Sequence, residues 1–538
     1  MNQHNRARAG GRCAVVMAAT VCALWAGMGA ASAQSADIVQ GQLALHWGDP
    51  HPVGRMQVQR APRLRATLVT DDGRRIPMSA AHALRAAEDL DALANRRIAV
   101  TFASTKLQRS GARYERIPEI IVPADRLAPA PGAAISASAQ ILPKAITGTT
   151  RWVTLMCKFA DISTEQKNLA FFQGQYGSSV GQLGHYWSEV SYGQINLTGS
   201  TAHGWFLLPK PRSAYVTQVD GEDDADLDTL FQDCVTAADA QVDFTGMQGI
   251  NMMFNGDLDG FAWGGSSCAT FDGSRRCIRV TWNPPWSFNN VAPLAHEMGH
   301  GYGLPHSDNS DGDSDTYDNP WDVMSDAWRN AVHDTVYGSR PKHINMNQRD
   351  RLGWVNAARK LSIPASTPGV WSVELQYASL ASATGRQLIV LSMPAQTGSQ
   401  AIYYTLEARR RVGNYEGALA GDAVIIHRVQ GGTAYSMDAG SPPADIANNE
   451  GSMFKPGETW TAADGAYWVR VDGVTAQGFN VTIGAAGQLT GGNQPARRGS
   501  APPAQPATAL PIIEAQGSAF RRGPATRRAP RIEARPQR

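Results

Sequence analysis

The 538 residues are 43% hydrophobic and 18% charged, enough apolar content to bury several cores and too much for a disordered chain. Lys and Arg total 49 against 47 Asp and Glu, a net charge of +2, which excludes a uniformly basic nucleic-acid binder. The charge is unevenly spread: three arginines and no acid in 1–33 and nine arginines against two glutamates in 486–538 leave −8 for the stretch between.

Arg6, Arg8 and Arg12 precede a mostly apolar run from Cys13 to Ala30, and Ala31-Ser32-Ala33 fits a small-x-small cleavage site. Residues 1–33 therefore read as a signal peptide, with a membrane anchor as the competing reading. No later run reaches about 18 apolar residues, so the expectation is a secreted, extracellular chain (periplasmic as the alternative) without a membrane span. Of six cysteines, Cys157, Cys234, Cys268 and Cys277 lie beyond the signal. None sits in a CxxC, so disulfides are expected rather than a metal knuckle. Four cysteines allow three pairings and the sequence does not choose among them. The pairing we take is Cys268–Cys277 across a short Gly/Ser/Arg loop and Cys157–Cys234 between a strand and a helix.

Residues 34–126 hold strand-like runs such as Arg97–Phe102 and a helical run near Ala80–Leu93. They read as a pro-segment or a retained accessory domain, followed by a Pro/Ala/Ser linker over 127–147. Residues 148–360 alternate strands and helices. Trp152–Phe159 and Ile250–Phe254 read as strands, Ser163 with Gln166-Lys167 as a helix start, and Asp224–Ala240 as an amphipathic helix with Leu227, Leu230, Phe231 and Cys234 on one face. Gly264-Gly265 reads as a turn. Six β-type runs fill 361–485, starting at Val370, Gln387, Ile402, Ala423, Tyr467 and Phe479, and imply a β-sandwich or jelly-roll domain. The Pro/Ala/Arg-rich tail, 486–538, cannot bury enough apolar surface to order itself.

The chemistry concentrates in His296-Glu297-Met298-Gly299-His300-Gly301-Tyr302-Gly303-Leu304-Pro305-His306, which fits H-E-x-x-H-x-x-G-x-x-H at every specified position. With Asn289 or Asn290 as cap and Pro293 in the first turn, a helix places His296 and His300 one turn apart on one face. Gly303 can take positive φ, end the helix and turn the chain so that His306 returns as a third ligand. Three histidines with an open fourth position suit one catalytic zinc ion, and Glu297 reaches beside the metal as general base.

The long motif resembles the metzincin metalloproteases. Trp321-Asp322-Val323-Met324-Ser325 resembles their Met-turn, with Met324 as the apolar floor under the metal. Tyr186–Gln194, the histidine segment and Arg349–Trp354 resemble stretches of the gametolysin-like and immune-inhibitor-A-like secreted peptidases. The resemblance spans about 148–485 and implies an α+β zincin catalytic domain, with a twisted mixed sheet and an active-site helix, acting as a zinc endopeptidase on extracellular proteins. It also implies that substrate lies antiparallel to an edge strand, for which Ile250–Phe254 is a candidate, its plainer reading being a core strand. Two departures stand out: no tyrosine lies two residues after Met324, and the third ligand is His306, where the immune-inhibitor-A type often has Asp.

Tyr317, His333 and Tyr337 are candidate oxyanion stabilisers, each with a structural reading beside it. Asp308, Asp311, Asp313 and Asp315 form a candidate calcium cluster, and Asn255-x-Asp257-x-Asp259-Gly260 resembles half of a calcium loop. Both read first as solvated loops. No cysteine lies in 34–147, so no thiolate there can silence a metal; Asp49 in His46-Trp47-Gly48-Asp49 is the candidate acid for that role. A GxSxG elbow and a phosphate loop are both absent. The expected partner is a protein or peptide substrate, not nucleic acid. The alternative function is an exported adhesin carrying a vestigial metzincin-like domain.

Overall fold

The computed structural model describes residues 38–51, 61–110, 113–126, 145–312, 316–394, 401–439 and 450–485. The expected signal peptide, residues 127–144 of the linker and the tail lie outside them. The architecture is mixed α and β, dominated by sheet. Among the described residues no helix is long and apolar enough to cross a membrane.

The N-terminal region is a small closed barrel. Strands β1 (Ile38–Pro50), β2 (Arg63–Val69), β3 (Arg75–Met78), β4 (Arg97–Ser110) and β5 (Arg113–Pro123) pair in the cycle β1-β2-β3-β5-β4-β1. Leu43, Leu45, Leu68, Met78, Ile98, Val100 and Ile121 fill it. The helical run is shorter than expected: α1 covers Ala80–Ala86, and a single 3₁₀ turn follows at Asp91–Leu93.

Next comes a five-stranded mixed sheet made of β6 (Trp152–Lys158), β7 (Thr201–Leu207), β8 (Gly249–Phe254), β9 (Phe261–Phe271) and β10 (Ser274–Asn283). The order is β9-β10-β8-β6-β7, with only β9 antiparallel to its neighbour. Helix α2 (Leu169–Gln175) begins at Asn168, not at Ser163. The side chain of Asn255 explains the shift: its Nδ2 donates to the Ile162 and Thr164 carbonyls at 2.7 and 3.0 Å, holding that stretch as loop. Helix α3 (Leu183–Val190) and helix α5 (Val291–Gly301) cover one sheet face, while α4 (Leu227–Ala238) covers the other. Cys157–Cys234 ties β6 to α4, and Cys268–Cys277 joins directly opposed residues of the β9/β10 hairpin, so both expected pairs are present.

Three expectations need correction. Ile250–Phe254 takes its plainer reading, a core strand, and not the candidate edge: all six residues of β8 are buried, between β10 and β6. Gly264-Gly265 is no turn: both lie within β9, where a Cβ on Gly264 would run into the Glu297 backbone and Gly265 has φ +147°. The Asn255–Gly260 loop is not simply solvated, since Asn255 and Asp259 are buried and accept from Phe159 N–H (2.9 Å) and Trp263 Nε1 (3.0 Å). The expected linker also ends early, because Ile146 is buried and its carbonyl accepts from Trp354 Nε1 at 2.8 Å. Helix α6 (Met346–Arg351) carries that contact to the Tyr186–Gln194 stretch, with the Trp187 and Trp354 rings 6.2 Å apart.

The C-terminal region is two sheets on a shared core. All six β-type runs form strands. One sheet is ordered β11-β17-β16-β15-β14-β12, from β11 (Ser307–Asn309), β12 (Lys360–Ile363), β14 (Leu388–Ser392), β15 (Ile402–Arg409), β16 (Ala423–Gln430) and β17 (Thr433–Ser436). The other is β13-β20-β19-β18, from β13 (Val370–Gln376), β18 (Thr459–Thr461), β19 (Tyr467–Val474) and β20 (Gly478–Ala485). Leu391, Leu406 and Ile426 of the first meet Trp460, Val469 and Val481 of the second in one apolar core. Strand β11 starts immediately after His306 and pairs with β17.

Candidate metal centre

Helix α5 is buried along its whole length, against β9 and β10. Its small residues permit this approach: Gly299 leaves room for the Met324 sulfur, and Gly264 on β9 leaves room for the Glu297 backbone. Gly303 has φ +88° and ends the helix as expected. The chain turns there, Gln348 Nε2 donates to the Pro305 carbonyl at 3.1 Å, and His306 faces back toward the helix.

The three imidazoles converge. His296 and His300 Nε2 are 3.0 Å apart, and His300 and His306 Nε2 3.2 Å. The Nδ1 atoms of His296 and His300 lie 2.6 and 2.8 Å from the Val323 and Leu304 carbonyls. A carbonyl only accepts, so each Nδ1 carries a proton, and in the neutral ring that leaves the Nε2 lone pair facing inward. Two lone pairs facing each other at 3.0 Å need a proton or a metal ion between them. Val323 belongs to the expected Met-turn, and the buried Met324 lies under the helix.

A fourth donor comes from the barrel. Asp49 Oδ1 is 2.7 Å from His306 Nε2 and 3.3 Å from His296 Nε2, and Oδ2 is 3.4 Å from His300 Nε2. Four donors about 2.05 Å from a tetrahedral zinc would stand about 3.3 Å from one another, so this buried Asp/His/His/His group has the spacing and chemistry to hold a metal ion. Burial opposes charge on Asp49, but His296 and His306 outweigh it and hold the carboxyl well below its usual range. Burial drives His300 down to about 3, keeping it neutral as a ligand must be.

Glu297 is buried beside the group, and burial together with the Asp49 charge lifts its pKa well above the usual carboxylate range. Tyr317 donates its hydroxyl to Asp49 Oδ1 at 2.6 Å. His333 is exposed on a short strand, and Tyr337 packs on Phe171, so neither reaches the centre. Among the described residues no second group of three His, Cys, Asp or Glu gathers its ligand atoms, and Asp308 and Asp311 join none; Asp313 and Asp315 lie outside those residues.

The sequence reading missed the aromatic frame. Trp47 stacks on His300 (ring centroids 5.5 Å, 19° between planes) and meets His306 edge-on at 5.0 Å. Trp286, Pro293, Ala327 and Trp328 line a cleft beside His296 and Glu297, and His51, also in its wall, meets Trp286 edge-on. Only the run His46-Trp47-Gly48-Asp49 carried a signal for any of this. No protein-family model matches the chain, and a search of curated proteins finds no similar sequence.

Proposed function

We propose that this chain is an exported zinc endopeptidase of the metzincin type. One observation carries the reading: three imidazoles aim their ring nitrogens at one point, with a buried, proton-seeking carboxyl next to it on the same helix. His296, His300 and His306 would hold the ion. Bound zinc supplies a Lewis acid for the scissile carbonyl and lowers the pKa of water. Glu297, whose pKa burial and the Asp49 charge raise above the usual carboxylate range, would take the proton of the attacking water and hand it to the leaving amine. The Tyr317 hydroxyl, which donates to Asp49 Oδ1 at 2.6 Å, would be the donor to the oxygen that gains negative charge. The Trp286/Trp328 cleft beside His296 and Glu297 suits an apolar side chain of a peptide. The two disulfides agree with an oxidising compartment.

The test is casein cleavage by the secreted form, with and without a chelator, beside Glu297→Ala. The expected result is loss of cleavage with chelator and a ~10²–10⁴-fold fall in kcat/KM for Glu297→Ala, with zinc content unchanged. Cleavage that survives either treatment rejects the proposal and favours the binding-protein alternative.

A further inference from the structure

Between the barrel and the C-terminal end of α5 lies a second cavity, of about 400 Å³, which shares no residue with the histidine cluster. Buried Asp91 and Tyr302 line it together with exposed Thr147 and Gln248, so it runs from the interior out to solvent. Three arginines face it: Arg96 of the barrel, Arg279 of β10 and Arg351 at the end of α6. Alternation along β10 decides the direction of Arg279. Val280 and Trp282 pack into the core on the α4 side, so Arg279 points toward α5.

Arg279 is half-buried and short of partners. Its Nη1 donates to the Gln248 carbonyl at 3.3 Å, and its Cζ lies 5.4 Å from the centre of the Tyr302 ring. Among the described residues no carboxylate pairs with it. Burial pulls its guanidinium below the usual arginine range, yet arginine keeps its proton in a protein. The Arg351 side chain is only 7% exposed. Both of its Nη atoms donate to Asp89, while its buried Nε has no hydrogen-bond partner. Asp91, the one carboxyl in the lining, accepts from Trp47 Nε1 at 3.2 Å and holds its proton up to about pH 7. It therefore does not neutralise the arginines. A dehydrated cation without a counter-charge and a buried donor without an acceptor both raise the free energy of the empty cavity.

We propose that this cavity binds a small oxyanion, a carboxylate or phosphate compound, held by Arg279 and Arg351 and bridging the barrel to the body that carries α5. A guanidinium offers parallel N–H donors that match the oxygen pair of such a group, and Arg351 Nε is a donor with no other use. The volume admits a small molecule. An occupant touching both bodies stabilises the folded chain in proportion to its concentration. Neither the site nor its test depends on bound zinc.

The test is calorimetric titration of the full-length chain, carrying Glu297→Ala so that it stays intact, with inorganic phosphate and separately with citrate. Sodium chloride at equal ionic strength is the control. We expect one saturable site per chain, and a melting temperature that rises with the oxyanion beyond its value in chloride. Adding Arg279→Gln should weaken binding ~10-fold or more, and Arg279→Lys, which keeps the charge and loses the fork, should weaken it less. Tighter phosphate binding assigns a phosphate compound, and tighter citrate binding a carboxylate. Absence of saturable binding of either, a response matched by chloride, or affinity unchanged in both Arg279 variants overturns the proposal.

Discussion

The Asp91 carboxyl, buried beneath Trp47, is pushed up to about 7, first by burial and then by the neighbouring Asp89 charge. An unfolded Asp titrates near 3.9. Between that value and about 7 the unfolded chain ionises while the folded one keeps its proton, so stability falls as pH rises through the window. Asp91→Asn removes that loss. Its melting temperature should match the wild type at pH 4 and exceed it by ~2 °C or more at pH 8; equal curves at both values reject the assignment. At this scale the sequence spoke clearly where spacing along one helix fixes geometry, as for His296, Glu297 and His300. It spoke faintly for Asp49, whose partner His306 stands 257 positions away, because no local period encodes which strand will carry an acid to which cleft. Tyr317 was one of three equal candidates until the fold brought its hydroxyl to Asp49.

Among elements, the contact between β9 and α5 governs where the Glu297 carboxyl sits. Gly264 lies against the Glu297 backbone with no room for a methyl group. Gly264→Ala should therefore push α5 outward, costing ~1–3 kcal/mol in a urea titration and lowering peptidase activity while the zinc ligands remain intact. Unchanged stability and activity would show that the helix does not need this approach. The pair Gly264-Gly265 misleads in the sequence because glycine marks turns and close backbone approach alike. The start of α2 misleads for a similar reason: Asn255, about 90 residues on, claims the carbonyls that a helix from Ser163 would have used. By contrast, the six C-terminal runs were legible since alternation and turn residues are local, although which strands would neighbour one another was not.

Across the whole molecule the C-terminal sheets buttress the floor of the metal centre. Arg409 of β15 is fully buried. Its Nη1 donates to the Trp321 carbonyl at 2.6 Å, and it pairs with Glu407 at 3.2 Å and with Glu416. Trp321 also donates from Nε1 to Ser452 at 2.8 Å, so the turn bearing Met324 is gripped from the far domain. Arg409→Met keeps the volume but strands two buried carboxylates, and should cost ~3–5 kcal/mol by denaturant unfolding, with weakened zinc retention. A loss under ~1 kcal/mol would mean that the network is dispensable. The sequence boundary drawn at 360 misses this coupling because hydrogen bonds between domains leave no compositional trace.

Strand β11, next to His306, finds its partner only at Ala434–Ser436. A ribosome delivers the chain from its N-terminus, so every residue of β1 and the barrel is made long before that partner strand. The order of synthesis thus presents the segment holding Asp49 well before the last anchor beside His306 emerges.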